Sequence, residues 1–119
     1  MLVLCDADDD CPATWGPDAE GVVKSLSQGG AVMALREYET WLLLNYTDKQ
    51  LADVGVPAPE KKRGAKEALS KIVPGYLPTT HQLGETQKLD IAHVRKRSDS
   101  FDKLVRVLAS IAGMTPPAR

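Results

Sequence analysis

The chain has 119 residues, 43% of them apolar and 26% charged, a composition that fits one soluble domain with a modest core of its own. No apolar run approaches the ~20 residues that a membrane-spanning helix needs, which excludes a membrane helix among these residues. The net charge of −1 hides a division: residues 1–60 carry eleven acidic and three basic side chains (−8), and residues 61–119 five acidic and twelve basic ones (+7). This asymmetry predicts an acidic site in the first half and a basic surface in the second, suited to a polyanion. Mutual pairing of the two halves is the bland alternative.

"MLVLCDA" opens as a continuous apolar strand near residues 2–7. Unbroken hydrophobicity marks a strand covered on both faces, as in a parallel α/β sheet, and makes Cys5 a buried residue. Cys5 and Cys11 flank the acidic run without resembling a disulfide framework, so a reduced, cytoplasmic protein is expected. A loop "CPATWGP" follows, and Asp18 is placed to cap a helix over about 18–27 that buries Val22, Val23 and Leu26. "AVMALRE" reads as a second strand near 31–36, and "YETWLLLNY" as a short helix with Trp41, Leu42 and Leu44 inward. The Pro/Gly loop "VGVPAPEKKRG" leads into a helix "AKEALSKIV".

"PGYLPTTHQL" (74–83), with two prolines, is predicted to be extended. Helices at about 85–96 and 99–112 close the chain; in the last, Phe101, Leu104, Val105, Leu108 and Ile111 fall on one face, with Ser98 or Asp99 as N-cap. The expectation is a single α/β domain over 1–112 with a helical C-terminal half, and a flexible tail at 113–119. Two strands make a meagre sheet. The chain therefore reads as the C-terminal part of a larger unit, its sheet completed by a second copy, by a partner, or by strands within 74–83.

The run "CDADDD" carries the chemistry. Asp6, Asp8 and Asp10 match the first half of an EF-hand loop, but Cys11 stands where that loop needs Gly and Pro17 where it needs Glu. A phosphatase of the haloacid-dehalogenase type also begins with a strand ending in D-x-D, yet its fifth position is Thr or Val and here is Asp10. The third option is a D-x-D pair that holds Mg²⁺ or Mn²⁺. Positions i and i+2 of a strand share a face, so Asp6 and Asp8 can address one ion, with Asp10 beside them. A solvated acidic turn remains the alternative. Glu37 and Glu39 follow the second strand, and Glu39 is the candidate further ligand or general base; its alternative is a helix-start glutamate favoured by the macrodipole.

His81 and His93 lie too far apart for a zinc motif. Lys61, Lys62, Arg63 and Lys66, with Arg95, Lys96 and Arg97, form two basic clusters that could hold the phosphates of a nucleic acid, or simply solvate helix surfaces. Trp15, Trp41, Tyr38 and Phe101 read as packing residues rather than stacking platforms.

The stretches "VLCDADDDCP", "AVMALREYETWLL", "RGAKEAL", "YLPTTHQ" and "LDIAHVRKRSDSFDKL" together resemble a bacterial domain-of-unknown-function family, number 4276, which is TOPRIM-like; they span about residues 2–108. "REYETWLL" and "SDSFDKL" are the more specific pieces. The resemblance implies a small parallel α/β unit with Mg²⁺ on Asp6 and Asp8, acting as a nuclease or other phosphoryl-transfer domain on nucleic acid, beside an ATPase subunit. It also implies a glutamate on an earlier strand, which has no counterpart here. The second expectation is accordingly a non-catalytic module that dimerises or binds a partner subunit.

Overall fold

The computed structural model describes residues 2–8, 12–26 and 29–119, with 12–16 and 26 described by backbone alone. The expectations for Asp10 and Cys11 and for the Trp15 and Leu26 side chains fall outside these. Two parallel strands, β1 (Leu2–Asp6) and β2 (Gly30–Ala34), are joined by the crossover helix α1 (Pro12–Leu26) and pair from Leu2↔Gly30 to Asp6↔Ala34. Six further helices follow: α2 (Tyr38–Leu44), α3 (Asp48–Asp53), α4 (Ala65–Ile72), α5 (Pro78–Gln87), α6 (Ile91–Arg97) and α7 (Asp99–Ile111). A 3₁₀ turn at Pro59–Lys61 precedes α4. The α/β class and the helical C-terminal half are as expected.

Burial divides the two strands. Every residue of β2 is buried, because α1 and α7 pack mainly on it. In β1, Val3 is 37% and Leu4 40% exposed, and Cys5 is exposed as well. The apolar run was expected to be covered on both faces with Cys5 buried; it is instead an edge strand whose one neighbour among the described residues is β2.

Helix α2 is buried over Glu39–Leu44, the polar Glu39 and Thr40 included with its four apolar side chains. Its Trp41 and Leu44 join Val32, Ala34, Val94 and Phe101 in one cluster. Its Leu42 and Leu43 join Leu51, Val56, Ala68, Leu69 and Tyr76 in another. The two most distinctive sequence pieces meet here. Trp41 Nε1 donates to Ser100 Oγ at 2.9 Å, and its ring stands edge-on to Phe101 at 5.3 Å. Ser98 caps α7 by accepting from Phe101 N at 3.2 Å. "REYETWLL" and "SDSFDKL" are therefore, in large part, the two halves of one packing contact.

Several boundaries differ from expectation. Residues 78–87 are helical, not extended, and contain no strand. Pro78 is the first helical residue, where its missing N–H costs nothing, and the His81 ring turns back to accept from Leu77 N at 2.9 Å. The helix expected over 85–96 breaks between Gln87 and Ile91, where Asp90 starts α6 by accepting from His93 N at 3.0 Å. Helix α1 starts at Pro12 and carries Pro17 inside it, so Asp18 is not a cap; Val23 is buried but Val22 is exposed.

On α7 the apolar stripe is covered through Phe101, Leu104 and Val105, while Leu108 and Ile111 are exposed. Within 113–119, expected to be a flexible tail, two residues meet α6: Arg95 donates to Pro117 O at 2.6 Å, and Arg119 donates to Arg95 O at 2.9 Å.

Candidate functional site at the carboxyl ends of the strands

Parallel pairing brings the carboxyl ends of β1 and β2 to one edge, the usual place for ligands in α/β sheets. Beyond Asp6 the ladder continues as Ala7 N donates to Ala34 O at 2.9 Å and Asp8 N to Arg36 O at 2.7 Å. Asp8 (φ 49°) and Arg36 (φ 71°) both adopt the left-handed conformation that side chains rarely take. The two residues clasp each other, for Arg36 Nη1 reaches Asp8 O at 3.4 Å while its Nε reaches Glu60 O at 3.4 Å. This turn ends the strand alternation at Asp8, so Asp6 and Asp8 do not simply share a strand face as their spacing predicts.

Three carboxylates arrive here from the two strand ends, and two of them also hold helices in place. Asp6 Oδ1 accepts from Tyr38 N at the start of α2 at 2.8 Å. Glu37 Oε1 accepts from Ala65 N at the start of α4 at 3.0 Å, and its Oε2 lies 3.5 Å from Lys66 Nζ. Burial pushes the Asp6 carboxyl above its ordinary value; the Tyr38 N–H opposes the rise, and the charges of Asp8 and Glu37 add to it. Lys66 is held above the ordinary ammonium value, foremost by Glu39 and then by Glu37 and Asp6, against a smaller effect of burial.

Glu39, the expected ligand or base, is 1% exposed. It accepts from Tyr76 Oη and from Gln82 Nε2, each at 3.3 Å. Burial and the Glu39 charge push the Tyr76 phenol up. Glu37, rather than Glu39, faces solvent at the edge: with Asp8, Arg36 and Arg63 it lines an open cleft of about 390 Å³.

The basic residues separate into two groups. Lys61, Lys62, Arg63 and Lys66 are exposed; Arg63 lines the cleft and Lys66 meets Glu37, while Lys62 Nζ donates to Gly55 O at 3.1 Å. Arg95 and Arg97 are committed to the fold. Arg95 is buried against Asp102 at 2.6 Å, and Arg97 binds Leu44 O and Tyr46 O, both at 2.8 Å, and Asp48 at 2.7 Å. Of that cluster Lys96 is exposed. His81 serves α5 as described, and His93 Nε2 lies 3.2 Å from Arg97 Nη1. Arg36 is the cleft residue that sequence reasoning missed; its position at a strand end was the one available signal.

Among the described residues, no three His, Cys, Asp or Glu side chains converge tightly enough to hold a metal by themselves. Mg²⁺ does not require that. It commonly takes one or two carboxylates and completes its shell with water and phosphate oxygens. Asp6, Asp8 and Glu37 offer hard oxygen donors of the right kind. Comparisons with protein-family models, with curated proteins and with solved structures find no match for this chain.

Proposed function

We propose that the carboxyl edge of the β1–β2 sheet is a TOPRIM-like, Mg²⁺- or Mn²⁺-dependent phosphoryl-transfer site of nuclease type, acting on nucleic acid. One observation carries the reading: Asp6 and Glu37 lie at the same edge of a parallel sheet, beside a cleft lined by Asp8, Arg36, Glu37 and Arg63. In this reading Asp6 and Asp8 hold the ion, with Asp10 of the same acidic run as the remaining candidate ligand. When bound, the ion neutralises charge that builds on a phosphate during transfer. Glu37 holds Lys66 at the edge, its Oε2 3.5 Å from Nζ, while Glu39 is shut off from solvent against Tyr76 and Gln82. Lys61, Lys62, Arg63 and Lys66 then position a phosphate backbone. An ATPase subunit as partner follows from the family resemblance alone.

Isothermal titration with Mg²⁺ and Mn²⁺ tests the metal. Asparagine at position 6 keeps an oxygen for the Tyr38 N–H, so Asp6→Asn preserves the start of α2. Native protein is expected to bind, and Asp6→Asn and Asp8→Asn to bind at least about tenfold more weakly, the scale of losing one charged ligand. Equal or negligible heats in all three proteins would sink the metal reading. Metal-dependent nicking of plasmid DNA then separates an enzyme from a metal-binding module.

The exposed strand β1 favours a second reading, an interaction module. Val3 and Leu4 are exposed on an edge strand, and such edges invite pairing with another chain. Light scattering after size exclusion is expected to give a dimer mass for the native chain and a monomer mass for Leu4→Lys. A monomer at all concentrations would remove self-association.

A further inference from the structure

We infer that the corner where α6 meets α7 is a peptide-binding site, closed in this chain by its own residues 117–119. Its partner is an extended segment of another protein that presents a proline carbonyl and, two residues on, an arginine. None of the residues involved belongs to the sheet edge, so this site and the metal reading stand or fall separately.

The corner offers one buried donor and one cluster of acceptors. Arg95 is 6% exposed; its Nε is taken by Asp102, and its Nη1 donates to Pro117 O at 2.6 Å. Two residues along the chain, Arg119 Nε donates to Arg95 O at 2.9 Å. Its Nη1 meets Asp99 Oδ1 at 2.8 Å, and its Nε lies 4.0 Å from Asp102 Oδ1. A carbonyl is thus read by a charged donor, and a guanidinium by a carbonyl and two carboxylates. Asp99 and Asp102 select a cationic segment and disfavour an acidic one.

The corner needs an occupant more than it needs this one. Removing the carbonyl from Arg95 Nη1 leaves a buried charged donor unmet, which is costly. The segment that supplies it is held lightly by comparison. Residues 117–119 are exposed, and the Asp99 side chain is 95% exposed, so its ion pair with Arg119 contributes little.

The span is also nearly taut. The thirteen residues of α7 make it about 20 Å long. Gly113, at φ 69°, turns the chain back at its far end. From there the six steps to Arg119 cover about 19 Å in the extended conformation that Pro116 and Pro117 favour. A segment not tethered to α7 meets the same groups without that span, and prolines lower the cost of ordering it.

The test uses the full chain and the acetylated, amidated peptide MTPPAR, followed by amide NMR shifts. Arg119→Ala removes the tethered guanidinium and touches neither apolar cluster, so it should melt within a few degrees of the native protein. Asp99→Asn, an exposed change that loosens the same contact, is the second variant. Expected is saturable binding to Arg119→Ala, with shifts centred on Arg95, Asp99 and Asp102. The native chain should bind at least about tenfold more weakly, because its own segment competes at an effective concentration of about millimolar. The same peptide ending in alanine should also lose about tenfold, the scale of one charge-assisted contact. Amide ¹⁵N relaxation should show 117–119 as ordered as α7 in the native chain and mobile in Arg119→Ala.

Equal binding to native and variant chains, or no binding to either variant, overturns the site. Equal binding of the alanine peptide overturns the arginine requirement. Residues 117–119 as mobile in the native chain as in the variant overturn the self-occupied corner. A mass that rises with concentration in the native chain but not in Arg119→Ala makes the occupant a second copy and overturns the partner assigned here.

Discussion

Trp41→Ala is expected to destabilise the protein by about 4 kcal/mol, the upper-middle of the range for truncating a buried aromatic. The indole is 0% exposed and touches three kinds of partner. Tyr38 and Phe101 meet it edge-on at 5.6 and 5.3 Å, Val32 and Ala34 of β2 share its cluster, and Ser100 Oγ accepts from Nε1 at 2.9 Å. Alanine loses the apolar transfer energy, opens a cavity between sheet and helices, and removes the donor. Trp41→Phe separates these effects. It keeps most of the apolar volume, and Ser100 Oγ still has Ser98 Oγ at 3.1 Å, so about 1–2 kcal/mol should be lost.

Urea unfolding at constant m-value is the measurement. A loss below about 1.5 kcal/mol for the alanine variant would contradict Trp41 as the centre of this cluster. A Trp41→Phe/Ser100→Ala cycle should return a coupling of about 1 kcal/mol. The consequence reaches the site, because Trp41 lies on the helix whose start carries Glu37 and is held by Asp6.

What could be read in advance follows from how local each cause is. β2 and α2 were legible because their burial repeats in every residue of a short apolar run. The same apolar run in β1 misled, since exposure of an edge strand depends on what lies beyond the edge and not on the strand's own residues. Pro74 and Pro78 read as breakers of a helix; Pro78 is in fact a helix start, where the ring's fixed φ helps. The aspartates at the end of β1 were legible as a strand-end pair.

Glu37 and Glu39 could not be ranked from their spacing. One is the residue before α2 and the other its second residue, so they point in different directions around the helix axis, and only packing decides which meets solvent. Arg36 was hidden for a different reason: nothing in "ALREYE" announces a left-handed arginine. Charge runs were the least legible. "RKR" looks the same solvated or paired, and Asp102, which claims Arg95, stands seven positions away across a helix corner.

That pair supports the second large effect, a loss of about 3 kcal/mol in Asp102→Asn. Arg95 is 6% and Asp102 7% exposed, and removing one member of a buried pair leaves the other charge without compensation. Asp102 also accepts from Arg106 Nε at 3.0 Å. The Arg106 side chain is more than half exposed, so Arg106→Ala should cost less than about 1 kcal/mol. Burial pushes the Asp102 carboxyl up, but the hydrogen bonds from Arg95 and Arg106 and the charge of Arg119 outweigh it and hold the group below its ordinary value.

The sign of the pH dependence follows. With a folded pKa below the unfolded one, the unfolded chain binds more protons between the two values, so stability falls as pH drops through that window. The contribution of Asp102 is therefore complete from neutral pH down to about 4, the unfolded carboxylate value, and disappears only below it. Urea midpoints of native and Asp102→Asn protein should differ by a constant amount between about pH 7 and 5, and converge in acid below about 4. Convergence already near pH 6 would mean that the carboxyl is not held by these arginines. An Arg95→Met/Asp102→Leu double variant, which removes both charges together, should recover much of the loss, because the cost of Asp102→Asn is the guanidinium it strands rather than any net worth of the pair.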